Sequence, residues 1–227
     1  MFTLDQVVPW GRSFDEYRRM FALTDADLER TIVDCGAGPA SFNVHATRSG
    51  TRVVSCDPLY RWNADAIQQR IVATYDTILE QTRRNRDDFV WDAIASVDDL
   101  GRVRMAAMND FLGDYVSGKS EDRYIEASLP SLPFGDDSFE LALCSHLLFL
   151  YTTQLSEGFH RPAIREMCRV AAEVRIFPLV ELGGTPSPYV DETVGEFREH
   201  GFSVSIEDVP YEFRRGAKQM MRLRRRQ

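Results

Sequence analysis

Between residues 31 and 41 the chain reads TIVDCGAGPAS, an apolar run that ends in Asp34, Gly36, Gly38 and Ala40. Glycines at such a turn let the backbone approach a ligand closely and adopt conformations that a Cβ would oppose. A helix that begins directly after them turns free N–H groups and the positive end of its dipole toward an anion. A second acid, Asp57, lies 21 residues beyond Gly36 at the end of the next apolar run, RVVSCDP. A carboxylate there can accept both hydroxyls of a ribose. Turn and acid together point to an adenosine-containing ligand. A dinucleotide site needs a third glycine at position 41 so that the helix packs tightly and the pyrophosphate enters. This chain has Ser41 instead.

The spacing G-x-G-x-A, with Asp34 two residues ahead of Gly36, resembles motif I of the class I S-adenosylmethionine-dependent methyltransferases. Asp57 in CDP stands at that family's acidic position after motif I, and LPFGDDSFELALCSH, residues 132–146, is similar to its loop and fourth strand. The resemblance spans residues 31–151 and implies S-adenosylmethionine as cofactor. It implies that Asp34, Gly36, Ala37 and Gly38 surround the methionine part, that Asp57 holds the ribose, and that Pro58 and Leu59 flank the adenine. Where the family often has an adenine-contacting Asp, this chain has Ser128, followed by Leu129. Replacing Asp57 by Ala is expected to weaken cofactor binding and to leave the fold's stability nearly unchanged.

Methyl transfer from a sulfonium is an in-line displacement that positioning accelerates, so a general base is optional. His146 falls at the carboxyl end of the fourth strand and titrates near neutral pH when unperturbed. Tyr151 and His160 are further candidates for lining an acceptor pocket. No NPPY sequence, found in family members that methylate amide or exocyclic amino nitrogens, follows the fourth strand; SHLLFLY stands there. The implied activity is methyl transfer to a small-molecule acceptor. The alternatives are a protein that binds S-adenosylmethionine without turnover and, with less in its favour because of Ser41, a nucleotide-cofactor oxidoreductase.

The elements that must hold these residues alternate as strand and helix along one domain, 1–227. Phe14, Tyr17, Met20 and Phe21 recur at helical spacing within 13–28, and Ser13 can cap with Glu16. This helix is expected to form an N-terminal lid over residues 1–28. Strands are predicted at 31–38, ending in glycines, from 52, at 123–129, 139–150 and 173–182, with helices at 40–50, 63–86, 153–170 and 188–200, and a helical insertion at 87–122. The last two runs, FSVSIEDVPYEF and AKQMMRLRRR, predict a terminal antiparallel hairpin. The fold class is therefore α/β: an open, mostly parallel twisted sheet with helices on both faces.

Composition narrows the partners. With 44% apolar and 27% charged residues the chain is ordinary globular material. A formal charge of -8 disfavours nucleic acid and anionic lipid as partners. The alternation of Met221 and Leu223 with Arg222 and Arg224 reads as a strand with one buried face rather than an RNA-binding tail. The four cysteines show no metal-ligand spacing, which argues against structural zinc. The N-terminal sequence has no basic stretch followed by a long apolar one, which predicts a cytoplasmic protein, and 141–151 is about half the roughly 20 residues that a membrane span needs.

Overall fold

The computed structural model describes Leu4 and residues 6–226. The part of the expected lid at residues 1–3 and 5 lies outside the described residues. Seven strands form one sheet in the order β3-β2-β1-β4-β5-β7-β6. They are β1 (Thr31–Cys35), β2 (Arg52–Cys56), β3 (Tyr124–Ile125), β4 (Phe139–Ser145), β5 (Ala171–Phe177), β6 (Phe202–Asp208) and β7 (Gln219–Arg225). The first five run parallel, and β7 pairs antiparallel with both β5 and β6. This is the expected open sheet with a terminal hairpin. Among the described residues no helix is long and apolar enough to cross a membrane.

Strand parity sorts the core into two layers. Val33, Ala142, Val174 and Leu223 face α6 (Glu157–Val170) and α7 (Tyr189–Glu199), while their neighbours Ile32, Leu141 and Leu143 face α1 (Phe14–Met20) and α3 (Phe42–Arg48). Residues buried on both faces explain why these strands read as continuous apolar runs. On the α1 side, Tyr17 stacks on Phe42 with ring centroids 4.6 Å apart. Met221 and Leu223 are buried and Arg222 and Arg224 bond Glu173, as the alternation in the tail requires.

Several predicted boundaries change, among them the fourth strand, which ends at Ser145 instead of running to 150, and the fifth, which is Ala171–Phe177 instead of 173–182. The helix expected over 13–28 is two helices, α1 and α2 (Asp25–Leu28), because Ala22 turns the chain with φ 46° and Thr24 caps a second start on Asp27. These two helices pack into the core, and it is mainly the extended stretch 6–12, with Tyr17, that borders the cleft beside the glycine turn. The strand expected at 123–129 pairs only over Tyr124–Ile125, since Ser128 folds back on Ser131 just before Pro133. The insertion at 87–122 holds one long helix, α5 (Val97–Ser120), which packs against α4 (Ala64–Arg84), α3 and β3. Both long helices thus fall between β2 and β3, and the β3–β4 connection holds no helix.

The capping box on α1 forms in full: Ser13 Oγ accepts from the Glu16 N–H at 3.3 Å, and Glu16 Oε2 accepts from the Ser13 N–H at 2.9 Å. The same carboxylate also accepts from Arg104 Nη1 of α5 at 2.5 Å and from the Tyr211 hydroxyl at 2.8 Å. Glu16 is 2% and Arg104 0% exposed. Burial alone would raise the Glu16 pKa, but the charge and hydrogen bond of Arg104 outweigh it and hold the acid well below the usual range. Glu16→Ala leaves the Arg104 charge buried without a partner, so urea unfolding is expected to show a loss of about 3–5 kcal/mol. Because the folded-state pKa is the lower one, the pair's contribution is present above the ordinary value of 4.5 and is lost as pH falls below it. The parent and the alanine variant should therefore converge in stability under acid conditions.

Candidate functional site

The site grows from the end of β1. Gly36 and Gly38 take positive φ, 68° and 56°, which favours glycine at both positions. A Cβ on Gly36 would meet Leu147 Cδ2 at 2.5 Å, whereas a Cβ on Gly38 would point into open space. The turn is tied to β2 through the Gly36 N–H, which donates to the Cys56 carbonyl at 2.8 Å. Asp57 then pins it from the side: Oδ2 accepts from the Gly38 N–H at 2.9 Å and Oδ1 from the Leu59 N–H at 2.7 Å. Burial raises the Asp57 pKa, and these two bonds oppose the rise. Each carboxylate oxygen keeps a further lone pair.

Gly36, Ala37, Gly38, Asp57, Pro58 and Leu59 border one cleft of about 580 Å³. Ser128, Leu129 and His146 reach it from the other side. Its size suits a nucleoside-sized ligand. Asp34 lies behind the turn, 1% exposed, and among the described residues neither of its carboxylate oxygens meets a hydrogen-bond partner. Burial pushes its pKa up to about 8, with the charge of Asp57 adding to the rise and the nearby Tyr17 hydroxyl opposing it. An orphaned buried carboxyl beside a glycine turn suits a cationic ligand group. The turn, Asp57 and Asp34 together fit S-adenosylmethionine, whose ammonium is such a cation.

The N-terminal stretch closes over this turn. Gly11 sits so near Pro39 that a Cβ would come within 2.1 Å of its carbonyl oxygen, and the Ser41 N–H donates to the Arg12 carbonyl at 3.0 Å. Ser41 is 1% exposed, so the position a dinucleotide would approach is filled by the chain itself.

Beyond the cleft lies an inner chamber of about 110 Å³, and Val8, Trp10, Arg12 and His146 border both spaces. Aromatic and aliphatic side chains such as Phe177, Tyr211 and Phe213 form most of its wall. His146 holds the junction from the end of β4 with φ 53°, a conformation uncommon for residues other than glycine. Its backbone N–H donates to the Phe177 carbonyl at 2.7 Å and its Nδ1 lies 2.9 Å from Ser145 Oγ. Burial, then the charges of Arg12 and Arg104, lower its pKa well below the usual value, so the imidazole is neutral at pH 7. Tyr151 borders the inner chamber, and its hydroxyl accepts from the Val8 N–H at 3.4 Å. His160 borders neither space. It is fully buried in α6, where Nε2 accepts from the Phe149 N–H and Nδ1 donates to the Ser156 carbonyl.

Arg104 and Tyr211 are the chamber residues that sequence patterns do not single out. Each comes to Glu16 from far along the chain, 88 and 195 residues away, and neither sits in a recognisable motif. Glu16 itself carried a signal, but only as a helix cap.

No family model matches the sequence. An uncharacterised protein of Methanocaldococcus jannaschii is 31% identical over 223 residues, covering 98% of each chain. Among solved structures, mitomycin 7-O-methyltransferase aligns with a TM-score of 0.50 at 12% identity, over 94% of this chain and 54% of that one. The magnesium protoporphyrin IX methyltransferase of Synechocystis PCC 6803, solved with its bound cofactor, aligns with a TM-score of 0.48 at 11% identity, over 94% and 91% of the two chains. At these identities the likeness to solved structures is one of fold.

The double bond to backbone corrects the expectation that Asp57→Ala spares the fold. It strands two N–H donors, so thermal unfolding without ligand should show a loss of about 2 kcal/mol or more. Asp34 has the opposite sign. Its folded-state pKa lies above the ordinary 3.8, so stability declines as pH rises from that value toward about 8 while only the unfolded chain ionises. Asp34→Asn removes this decline and should raise the thermal midpoint of the ligand-free protein at pH 8, with little change in acid.

Proposed function

We propose that this chain, which belongs to one family with the Methanocaldococcus jannaschii protein and has the fold of the class I S-adenosylmethionine-dependent methyltransferases, transfers a methyl group to a small molecule held in the inner chamber. The observation that carries the reading is the glycine turn held by Asp57 at the cleft, with the carboxyl of Asp34 buried directly behind that turn. S-adenosylmethionine, when bound, supplies an activated methyl group on a sulfonium. Asp34 would balance the charge of its ammonium, and the free lone pairs of Asp57 would accept the ribose hydroxyls. Pro58, Leu59, Ser128 and Leu129 would flank the adenine, with the Ser128 hydroxyl as the polar contact.

His146 stands where cleft and chamber meet, and its neutral imidazole can take a proton from an acceptor. Trp10 and the rest of 6–12 act as the lid, excluding water from the junction. The chamber favours an enzyme over a protein that only binds the cofactor, because cofactor binding alone has no use for a second space bordered by Val8, Trp10, Arg12 and His146 of the first. The close fit of Gly11 and Arg12 around Pro39 and Ser41 weighs against a dinucleotide.

Calorimetric titration tests the proposal. S-adenosylmethionine and S-adenosylhomocysteine are expected to bind and NAD to give no heat. At pH 7 Asp34 starts protonated, so in buffers of different ionisation enthalpy each sulfur ligand should release close to one proton, and Asp34→Asn should abolish the release. Absence of heat with both sulfur ligands would overturn the assignment.

A further inference from the structure

The inner chamber is lined mainly by apolar groups, and the described residues that border it carry an excess of positive charge. Three guanidinium groups border it, from Arg12, Arg104 and Arg214, and two carboxylates bond to them, Glu16 with Arg104 and Asp88 with Arg214. Among the described residues Arg12 has no carboxylate partner; its Nη1 donates to the Trp10 carbonyl and its Nε is unpartnered. Arg104 is fully buried, and although Nη1 is bound by Glu16, Nε and Nη2 are left without a hydrogen-bond partner among the described residues. The other titratable groups there, His146, Tyr151 and Tyr211, are uncharged at neutral pH. Enclosing an uncompensated ion costs several kcal/mol, so a chamber built with such an excess is built for a counter-ion. The same strain shows in Arg12, whose pKa burial and the charge of Arg104 lower to about 10.

We infer that the acceptor is an anion, a carboxylate carried on a compact aromatic or branched apolar body, with Arg104 and Arg12 as its counter-ions. The inference rests on the reading of the chamber as the acceptor site. A planar guanidinium with two free donors matches a carboxylate, and each charge-assisted bond is about twice as strong as a neutral one. The volume, about 110 Å³, is close to the roughly 150 Å³ of a cavity that accepts benzene, which limits the body to one ring or a short branched chain. Arg104 borders the chamber alone, whereas Arg12 and His146 border the cleft as well. An anion held by Arg104 therefore leaves the rest of the molecule facing His146 and the cofactor cleft.

Three probes of one shape and different charge separate the possibilities: benzoate, benzyl alcohol and benzylamine, each titrated into the full chain with S-adenosylhomocysteine present. Benzoate is expected to bind at least about tenfold more tightly than either of the others, and Arg104→Met should remove that preference while S-adenosylhomocysteine still binds. Should Arg104→Met fail to fold, the double variant Glu16→Gln with Arg104→Met leaves no lone buried charge from the pair and carries the same expectation. Equal binding of the three probes, preference for benzylamine, or a benzoate affinity that survives the loss of Arg104 overturns the inference. Failure of S-adenosylhomocysteine to bind while benzoate binds through Arg104 would instead sink the cofactor reading and leave the anion site standing.

Discussion

One carboxylate, that of Glu16, ties together three parts of the chain that lie far apart in sequence. It closes the first turn of α1, meets Arg104 of α5 and receives the hydroxyl of Tyr211 from the loop before β7. In water such a group would bond to solvent; here, 2% exposed, it has to find every partner within the protein. That requirement sets the depth at which α1 and α5 sit and brings the C-terminal loop over them. The walls of the inner chamber follow from those positions.

A second carboxylate does for the cleft what Glu16 does for the chamber. Asp57 joins the turn after β1 to the turn after β2 through two backbone donors. A ligand that uses its remaining lone pairs therefore meets a surface already organised, which limits the ordering entropy lost on binding. His146 adds to that organisation, since its left-handed backbone conformation is held by the bond from its N–H to the Phe177 carbonyl and directs the ring to the junction.

What could be read from sequence was whatever depends on neighbours. Ser13 and Glu16 are three apart, so their capping box is written locally, and the buried alternation of Met221 and Leu223 follows from strand parity alone. The glycine turn and Asp57 were legible because backbone geometry demands those residue types at those places. The break at Ala22 was not, because an alanine gives no sign of a positive φ. The third strand was overread for a related reason: apolar character at 123–129 is real, but Ser128 and Leu129 serve the cleft instead of the sheet. The charge balance of the chamber is decided by Arg12, Arg104 and Arg214, which come together only in three dimensions. Of the 27 basic residues 25 are arginines, Lys119 and Lys218 being the lysines, and some of those guanidinium groups have a structural use. Arg175, for example, reaches Asp27, Glu173 and the Phe21 carbonyl at once from a buried position, which the single ammonium of lysine matches poorly.

The separation of Glu16 and Tyr211 by 195 residues also bears on how the molecule assembles. The glycine turn and Asp57 are 19 residues apart at their hydrogen bond, so that turn can organise from near-neighbour pairing of β1 and β2. The enclosure around the chamber needs both ends of the chain at once, and closing so long a loop is entropically slow. The turn that opens the cleft thus rests on pairing nearby in the chain, while the chamber wall draws on both of its ends together.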